Sequence, residues 1–192
     1  MGIKASGVRD WWADGRPEQT QTHWDTWQKE HRVTLPLAIE TIGATAVYEI
    51  GCGPGPNLRL LRSKHPGLRI GGSDVSTREI TFLREHLDGD FTIRAAPHRI
   101  DPFWDVMLSC FTMAYMYPEA ARRQFRMNAA RWMILIEPWG GGELRTGIEP
   151  DVSPMWHHDY PGLARGTGWT LAYRWPIAKI DYLTTLAIYQ RL

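Results

Sequence analysis

The sequence predicts an α/β protein built on a doubly wound, mostly parallel sheet, and three observations carry that expectation. Apolar strand-like runs alternate with helical patterns through the middle of the chain, which signals parallel strands joined by crossovers. A turn with three alternate glycines, Gly51-Cys52-Gly53-Pro54-Gly55, joins the first such run to the first helix after it. Two long strand-like runs, near Trp169–Trp175 and Tyr182–Gln190, close the chain without a helical pattern between them.

The elements follow in order. Residues 17–44 read as mostly helical around Trp24, Trp27, Val33, Leu35 and Leu37, with Pro36 expected to break or kink the run. The first strand falls at about 45–50, around Ala46-Val47-Tyr48, and its helix at about 56–65. Pro56 suits the first helical turn, where a missing N–H costs nothing, and His65-Pro66-Gly67 ends the helix. Residues 68–73 form strand two. Ser76-Thr77-Arg78-Glu79 opens the next helix with capping-box spacing, and that helix runs through Ile80, Phe82, Leu83 and Leu87 to Asp88-Gly89. Residues 91–93 give strand three and 104–109 strand four. A helix near 118–130 and strand five at 133–136 follow. After Gly140-Gly141-Gly142 the pattern loosens.

The Gly-rich turn points to a ligand. Alternate glycines remove the Cβ atoms between a strand and a helix N-terminus, so a ligand can lie on the backbone. Leu58 stands where a dinucleotide fingerprint would place its third glycine, and no Walker lysine follows. With Glu49 closing the strand, the stretch Glu49-Ile50-Gly51-Cys52-Gly53-Pro54-Gly55 resembles motif I of class I S-adenosylmethionine-dependent methyltransferases. Gly72-Ser73-Asp74-Val75-Ser76 looks like the G-x-D-x-S that ends the second strand of that family. The resemblance spans roughly residues 45–191 and is tight only at these two places.

The resemblance implies a Rossmann-like, seven-stranded sheet with an antiparallel C-terminal hairpin, a single domain over 1–192, and an N-terminal helical cap over 1–44 on a sheet core over 45–192. It implies S-adenosylmethionine as cofactor, held by Glu49, Gly51, Cys52, Gly53, Gly55, Asn57 and by Asp74 and Val75 at the ribose. An acid at the end of strand two accepts hydrogen bonds from two ribose hydroxyls at once. After strand three the family often places an acid for the adenine amino group. Here Arg94-Ala95-Ala96-Pro97-His98 stands there, which leaves adenine to backbone around Ala95 and Ala96, while His98 and Arg99 read as solvated. The end of strand four brings Ser109, Cys110 and Phe111 to the methionine part, and the segment with Tyr115 would face the acceptor. No D/N-P-P-Y motif of base- or glutamine-methylating enzymes is present.

Other candidates are less tied to that family. Glu137, at the end of strand five, is a candidate lining of the acceptor pocket. Ten tryptophans are many for 192 residues. Trp11, Trp12, Trp24 and Trp27 cluster before the first strand, either as core or as an aromatic lid, with Trp24 and Trp27 assigned to the substrate pocket. In Trp156-His157-His158-Asp159-Tyr160, adjacent histidines point to different sides and lack the spacing of a helical metal pair, so no metal site is expected. One of His157 and His158 is the candidate general base, oriented by Asp159.

Composition bounds the rest. Twenty-two basic and 21 acidic residues nearly cancel, which argues against a dedicated nucleic-acid binder and favours a small-molecule acceptor. Met1-Gly2-Ile3-Lys4-Ala5-Ser6 matches a myristoylation pattern by spacing alone, without a second membrane signal. No apolar run is long enough to span a bilayer, so no membrane partner and a cytoplasmic location are expected. Cys52 and Cys110 are expected as reduced thiols. A macromolecular methyltransferase acting on protein or RNA, and a non-catalytic cofactor-binding protein, stay open as alternatives.

Overall fold

The computed structural model describes residues 17–25, 30–145, 155–179 and 182–192. Its elements in chain order are α1 (Pro17–Asp25), α2 (Glu30–Val33), α3 (Leu35–Ile42), β1 (Ala46–Ile50), α4 (Pro56–Lys64), β2 (Arg69–Asp74), α5 (Thr77–His86), β3 (Asp90–Ile93) and β4 (Val106–Cys110). A single 3-10 turn (Met113–Tyr115), α6 (Pro118–Met127), β5 (Trp132–Pro138), β6 (Glu143–Arg145), β7 (Met155–His157), α7 (Tyr160–Ala164), β8 (Trp169–Lys179) and β9 (Tyr182–Arg191) complete it. Trp11, Trp12, Trp27 and the Gly2 pattern lie outside the described residues.

Seven strands form one sheet in the order β3-β2-β1-β4-β5-β9-β8. The first five are parallel, and β9 runs antiparallel to both β5 and β8. The expected architecture is therefore present, with an additional two-stranded sheet, β6-β7, in the region where the pattern loosens. Strand order reverses between β1 and β4, the place where a doubly wound sheet opens a crevice at the carboxyl ends of its strands.

Both faces of the central strands are covered, which is why β1 and β5 read as continuous apolar runs rather than alternating ones. Leu35, Ile39, Leu58, Leu61, Ile80 and Leu83 from α3, α4 and α5 pack on one face of the sheet. Phe125, Tyr160, Trp169 and Tyr189 pack with Met107, Met133 and Leu135 on the other.

Two local expectations are corrected. Pro36 does not break a helix: the interruption comes at Thr34, and Pro36 sits in the first turn of α3, where no N–H is needed. The capping box is half made. Ser76 Oγ accepts from the Glu79 N–H at 3.3 Å, but the Ser76 N–H is taken by Asp74 Oδ1 at 2.9 Å. Glu79 therefore turns to the Thr20 hydroxyl, which donates to it at 2.7 Å and ties α1 to α5.

Candidate functional site

The Gly-rich turn leaves β1 at the switch point, with Ile50 in register with Ser73 on one side and Ser109 on the other. Gly51, Gly53 and Gly55 all take left-handed backbone, with φ of 62°, 52° and 81°. Their surroundings differ. A Cβ on Gly51 would meet Thr112 Oγ1 at 2.2 Å, and one on Gly55 would meet Leu83 Cδ1 at 2.4 Å. One on Gly53 would meet nothing within 4 Å. The outer two glycines admit other parts of the protein; the middle one leaves space for something else.

Asp74 holds that turn. Its Oδ2 accepts the Gly53 N–H at 2.9 Å while its Oδ1 accepts the Ser76 N–H at 2.9 Å. Burial raises its pKa, against the pull of the N–H groups of Ser76, Gly53 and Val75. Val75 is half-buried beside it. Cys52 packs under the turn with its N–H on Ser73 O at 3.0 Å. Burial pushes its thiol well above the ordinary range and that of Cys110 up to about 12, and both are free thiols.

Behind the turn lies a chain of three polar side chains from three elements. Asn57, in the first turn of α4, donates through Nδ2 to Glu49 Oε1. Arg32 Nε, from α2, donates to Asn57 Oδ1 at 2.7 Å. Glu49 is 1% exposed, and its Oε2 has no hydrogen-bond partner. Desolvation pushes its pKa up to about 8, against Asn57 and the Arg32 charge, with Asp74 and Glu137 adding to the rise. An orphaned buried carboxyl oxygen beside an open glycine suits a cationic ligand group, whose charge would favour loss of the proton. Arg32 gave no signal in the sequence, because it lies outside both motifs.

The end of β4 is held from β5. Phe111 is the one described non-glycine residue with positive φ, at 54°, and its N–H donates to Ile136 O at 3.0 Å. That conformation reverses the chain and brings Thr112 back over Gly51, where its hydroxyl donates to Gly51 O at 3.2 Å. Glu137 takes the next groups: its Oε1 accepts from Ser109 Oγ at 2.7 Å and from the Thr112 and Met113 N–H groups at 3.0 Å each, and its Oε2 from the Ala114 N–H at 3.2 Å. Ser109 and Glu137 are fully buried, whereas Cys110, Phe111 and Tyr115 are half-buried. Burial still pushes Glu137 up to about 7 despite those four bonds.

Ala95 and Ala96 are half-buried just after β3, where the Arg94 N–H donates to Asp74 O at 2.8 Å. His98 is 3% exposed rather than solvated. Gln124 of α6 holds it, accepting its N–H and donating to its carbonyl at 2.9 Å each, and burial lowers its pKa to about 4.

His157 and His158 are also buried. His158 Nε2 lies 3.0 Å from Met113 O and donates to it, and burial lowers its pKa. Asp159 does not orient either histidine: it is exposed and caps α7, accepting the Gly162 N–H at 3.1 Å. Trp24 is buried in the core cluster that also holds Cys52 and Leu83. It packs edge-on against Phe82 of α5, with the Arg59 guanidinium 4.5 Å over its ring. Tyr117 and Trp156 meet at 6.1 Å, and Trp156 stacks on His158, forming an aromatic shelf beside the turn after β4. Among the described residues no group of three or more His, Cys, Asp and Glu is placed to hold a metal ion.

The sheet order is that of the class I S-adenosylmethionine-dependent methyltransferase fold, and solved structures of that fold superpose on the chain. Magnesium protoporphyrin IX methyltransferase from Synechocystis PCC 6803, with bound SAM, superposes with a TM-score of 0.70 at 14% identity, covering 100% of this chain and 99% of that one. An S-adenosylmethionine-dependent methyltransferase from Mesorhizobium loti gives 0.64 at 12% identity, covering 86% of this chain and 100% of that one. The methyltransferase domain of bacterial CtHen1-C gives 0.67 at 17% identity, covering 86% and 98%. No protein-family profile matches the sequence, and no curated protein matches it.

Proposed function

We propose that this chain is an S-adenosylmethionine-dependent methyltransferase acting on a small-molecule acceptor. The observation that carries the reading is the juxtaposition at the switch point of an open left-handed glycine, Gly53, a strand-end acid, Asp74, and a buried carboxylate with one orphaned oxygen, Glu49. Asp74 would take the ribose hydroxyls. Glu49 would take the ammonium of the methionine part, while Asn57 and Arg32 fix its other oxygen. Ala95 and Ala96 flank the place for the purine, and Cys110 and Phe111 border the methionine part.

The bound cofactor supplies a methyl group on a sulfonium, activated for in-line displacement. The protein's share is positioning: the reacting atoms must be held in line and water kept out. The buried carboxylates, the thiols and the turn after β4 do this without a dedicated nucleophile. The acceptor side falls at the ends of β4 and β5, where Tyr115, Tyr117 and Trp156 offer apolar faces to a small molecule. One neighbour, the magnesium protoporphyrin IX enzyme solved with SAM and with SAH, supports that acceptor class by its name. Among the described residues no helix is long and apolar enough to cross a membrane.

The test is label transfer from methyl-labelled S-adenosylmethionine into a cell extract separated into small-molecule and macromolecular fractions. Label in the small-molecule fraction, lost with Asp74→Ala, is the expected result. Label confined to protein or RNA would overturn the acceptor class.

A further inference from the structure

We infer that Glu137 is a positioning residue for the cofactor: it acts through Thr112 to seat the turn after β4 on the Gly-rich turn, and does not itself meet the acceptor. The inference rests on the cofactor reading of the site.

Three features place it there. Glu137 ends β5 with no exposed surface and, unlike Glu49, with both oxygens already engaged, so it is closed to an acceptor. Its two oxygens gather the N–H groups of three consecutive residues, Thr112, Met113 and Ala114, which no helix or strand satisfies. A carboxylate receiving successive backbone N–H groups fixes the direction of the turn more firmly than a neutral acceptor would. Phe111 is held in the left-handed region immediately before these donors, so the chain reversal needs an anchor on its far side.

The opposite side of the same turn is fastened as well. His158 Nε2 donates to Met113 O from the segment after β7. What the fastened turn presents to the cofactor side is Thr112, whose hydroxyl reaches Gly51 O and whose side chain fills the space that a Cβ on Gly51 would need. Gly53, two residues on, is the position left open. Glu137, Thr112 and the Gly-rich turn therefore form one mechanical series running from β5 to β1. Releasing the first member loosens the last, although Glu137 lies behind the surface a ligand would touch.

The experiment is a double-variant cycle read by calorimetric titration with S-adenosylhomocysteine. It is run at a temperature where circular dichroism shows each variant folded. Glu137→Gln keeps the shape but presents an NH₂ group to the turn's donors, and should weaken binding about tenfold. Thr112→Val removes the hydroxyl and keeps the shape, and should weaken binding about fivefold, while Thr112→Ser should stay within about twofold of the parent. Because Glu137 acts through Thr112, the double variant should bind within about twofold of Glu137→Gln alone.

Multiplying effects, about fiftyfold in the double variant, would overturn the series by showing two independent roles. Unchanged affinity in Glu137→Gln would overturn it by showing a role in stability alone. If Glu137→Gln does not fold, the Thr112 pair decides: equal affinities for the valine and serine variants overturn the proposal. Failure of the parent protein to bind S-adenosylhomocysteine is a separate outcome, which removes the cofactor reading and this inference with it.

Discussion

Replacing Gly51 with alanine should unfold the protein about 10 °C earlier, whereas the same change at Gly53 should cost only a few degrees. Both positions have positive φ, 62° and 52°, so each alanine carries the left-handed penalty of about 1–2 kcal/mol. At Gly53 that is the whole cost, since the new Cβ meets nothing within 4 Å. At Gly51 it would stand 2.2 Å from Thr112 Oγ1 and 2.4 Å from Cγ2. Overpacking of that kind costs a further roughly 1–3 kcal/mol, and the hydroxyl bond to Gly51 O adds about 1 kcal/mol if Thr112 is pushed away. The total at Gly51 is about 3–6 kcal/mol, and at about 2–4 °C per kcal/mol for a domain of this size Tm falls by roughly 10 °C or more. Thermal unfolding followed by circular dichroism measures it. Thr112→Ala should destabilise the parent protein but not the Gly51→Ala variant, because there it removes the clash. Equal Tm losses at Gly51 and Gly53, or a Thr112→Ala effect identical in both backgrounds, would refute the packing argument.

Two further perturbations follow from the same geometry. Glu49 and Glu137 bind protons more tightly folded than unfolded, so between the ordinary carboxylate range and their folded pKa values of about 8 and about 7 the native state holds the extra protons. Stability then falls as pH rises through that window. His98 and His158, lowered by burial, work in the opposite sense below their ordinary value. Tm should therefore drop between pH 6.5 and 8.5, and Glu49→Gln should flatten the drop; a Tm that rises over this interval contradicts the burial of these carboxyls. His158→Phe removes one of the two donors to the carbonyl of Met113, which keeps the Met116 N–H, and should cost about 0.5–1.5 kcal/mol, read as a Tm loss of a few degrees. An unchanged Tm would show that the bond carries no stability.

Much of the sheet was legible because its signals are local. The apolar run at 46–50, the glycines after it, the strand ending at Asp74 and the cap at Ser76 each sit within a few residues of what they specify. The site behind those motifs was not, because its bonds span long sequence distances. Arg32 reaches Asn57, His158 reaches Met113, and Glu137 reaches a turn more than twenty residues before it. Polar residues read one at a time look solvated, so His98 was placed at the surface, although Gln124 satisfies its backbone from another helix. Asp159 looked like an orienting acid because it follows two histidines, yet a helix N-cap is what an Asp at that position serves. Spacing alone makes the three glycines look like one open cradle. Which neighbour fills each Cβ position depends on Thr112 and Leu83, and spacing carries no trace of them.

The central claim is the cofactor, and one titration tests it most directly. Ligand-stripped protein is titrated in parallel with S-adenosylmethionine, S-adenosylhomocysteine and NAD in a calorimeter. Micromolar binding of both adenosyl ligands, with none of NAD, is the predicted result, and Asp74→Ala should weaken it about tenfold or more. No heat of binding with either adenosyl ligand, or equal binding of NAD, would contradict the account.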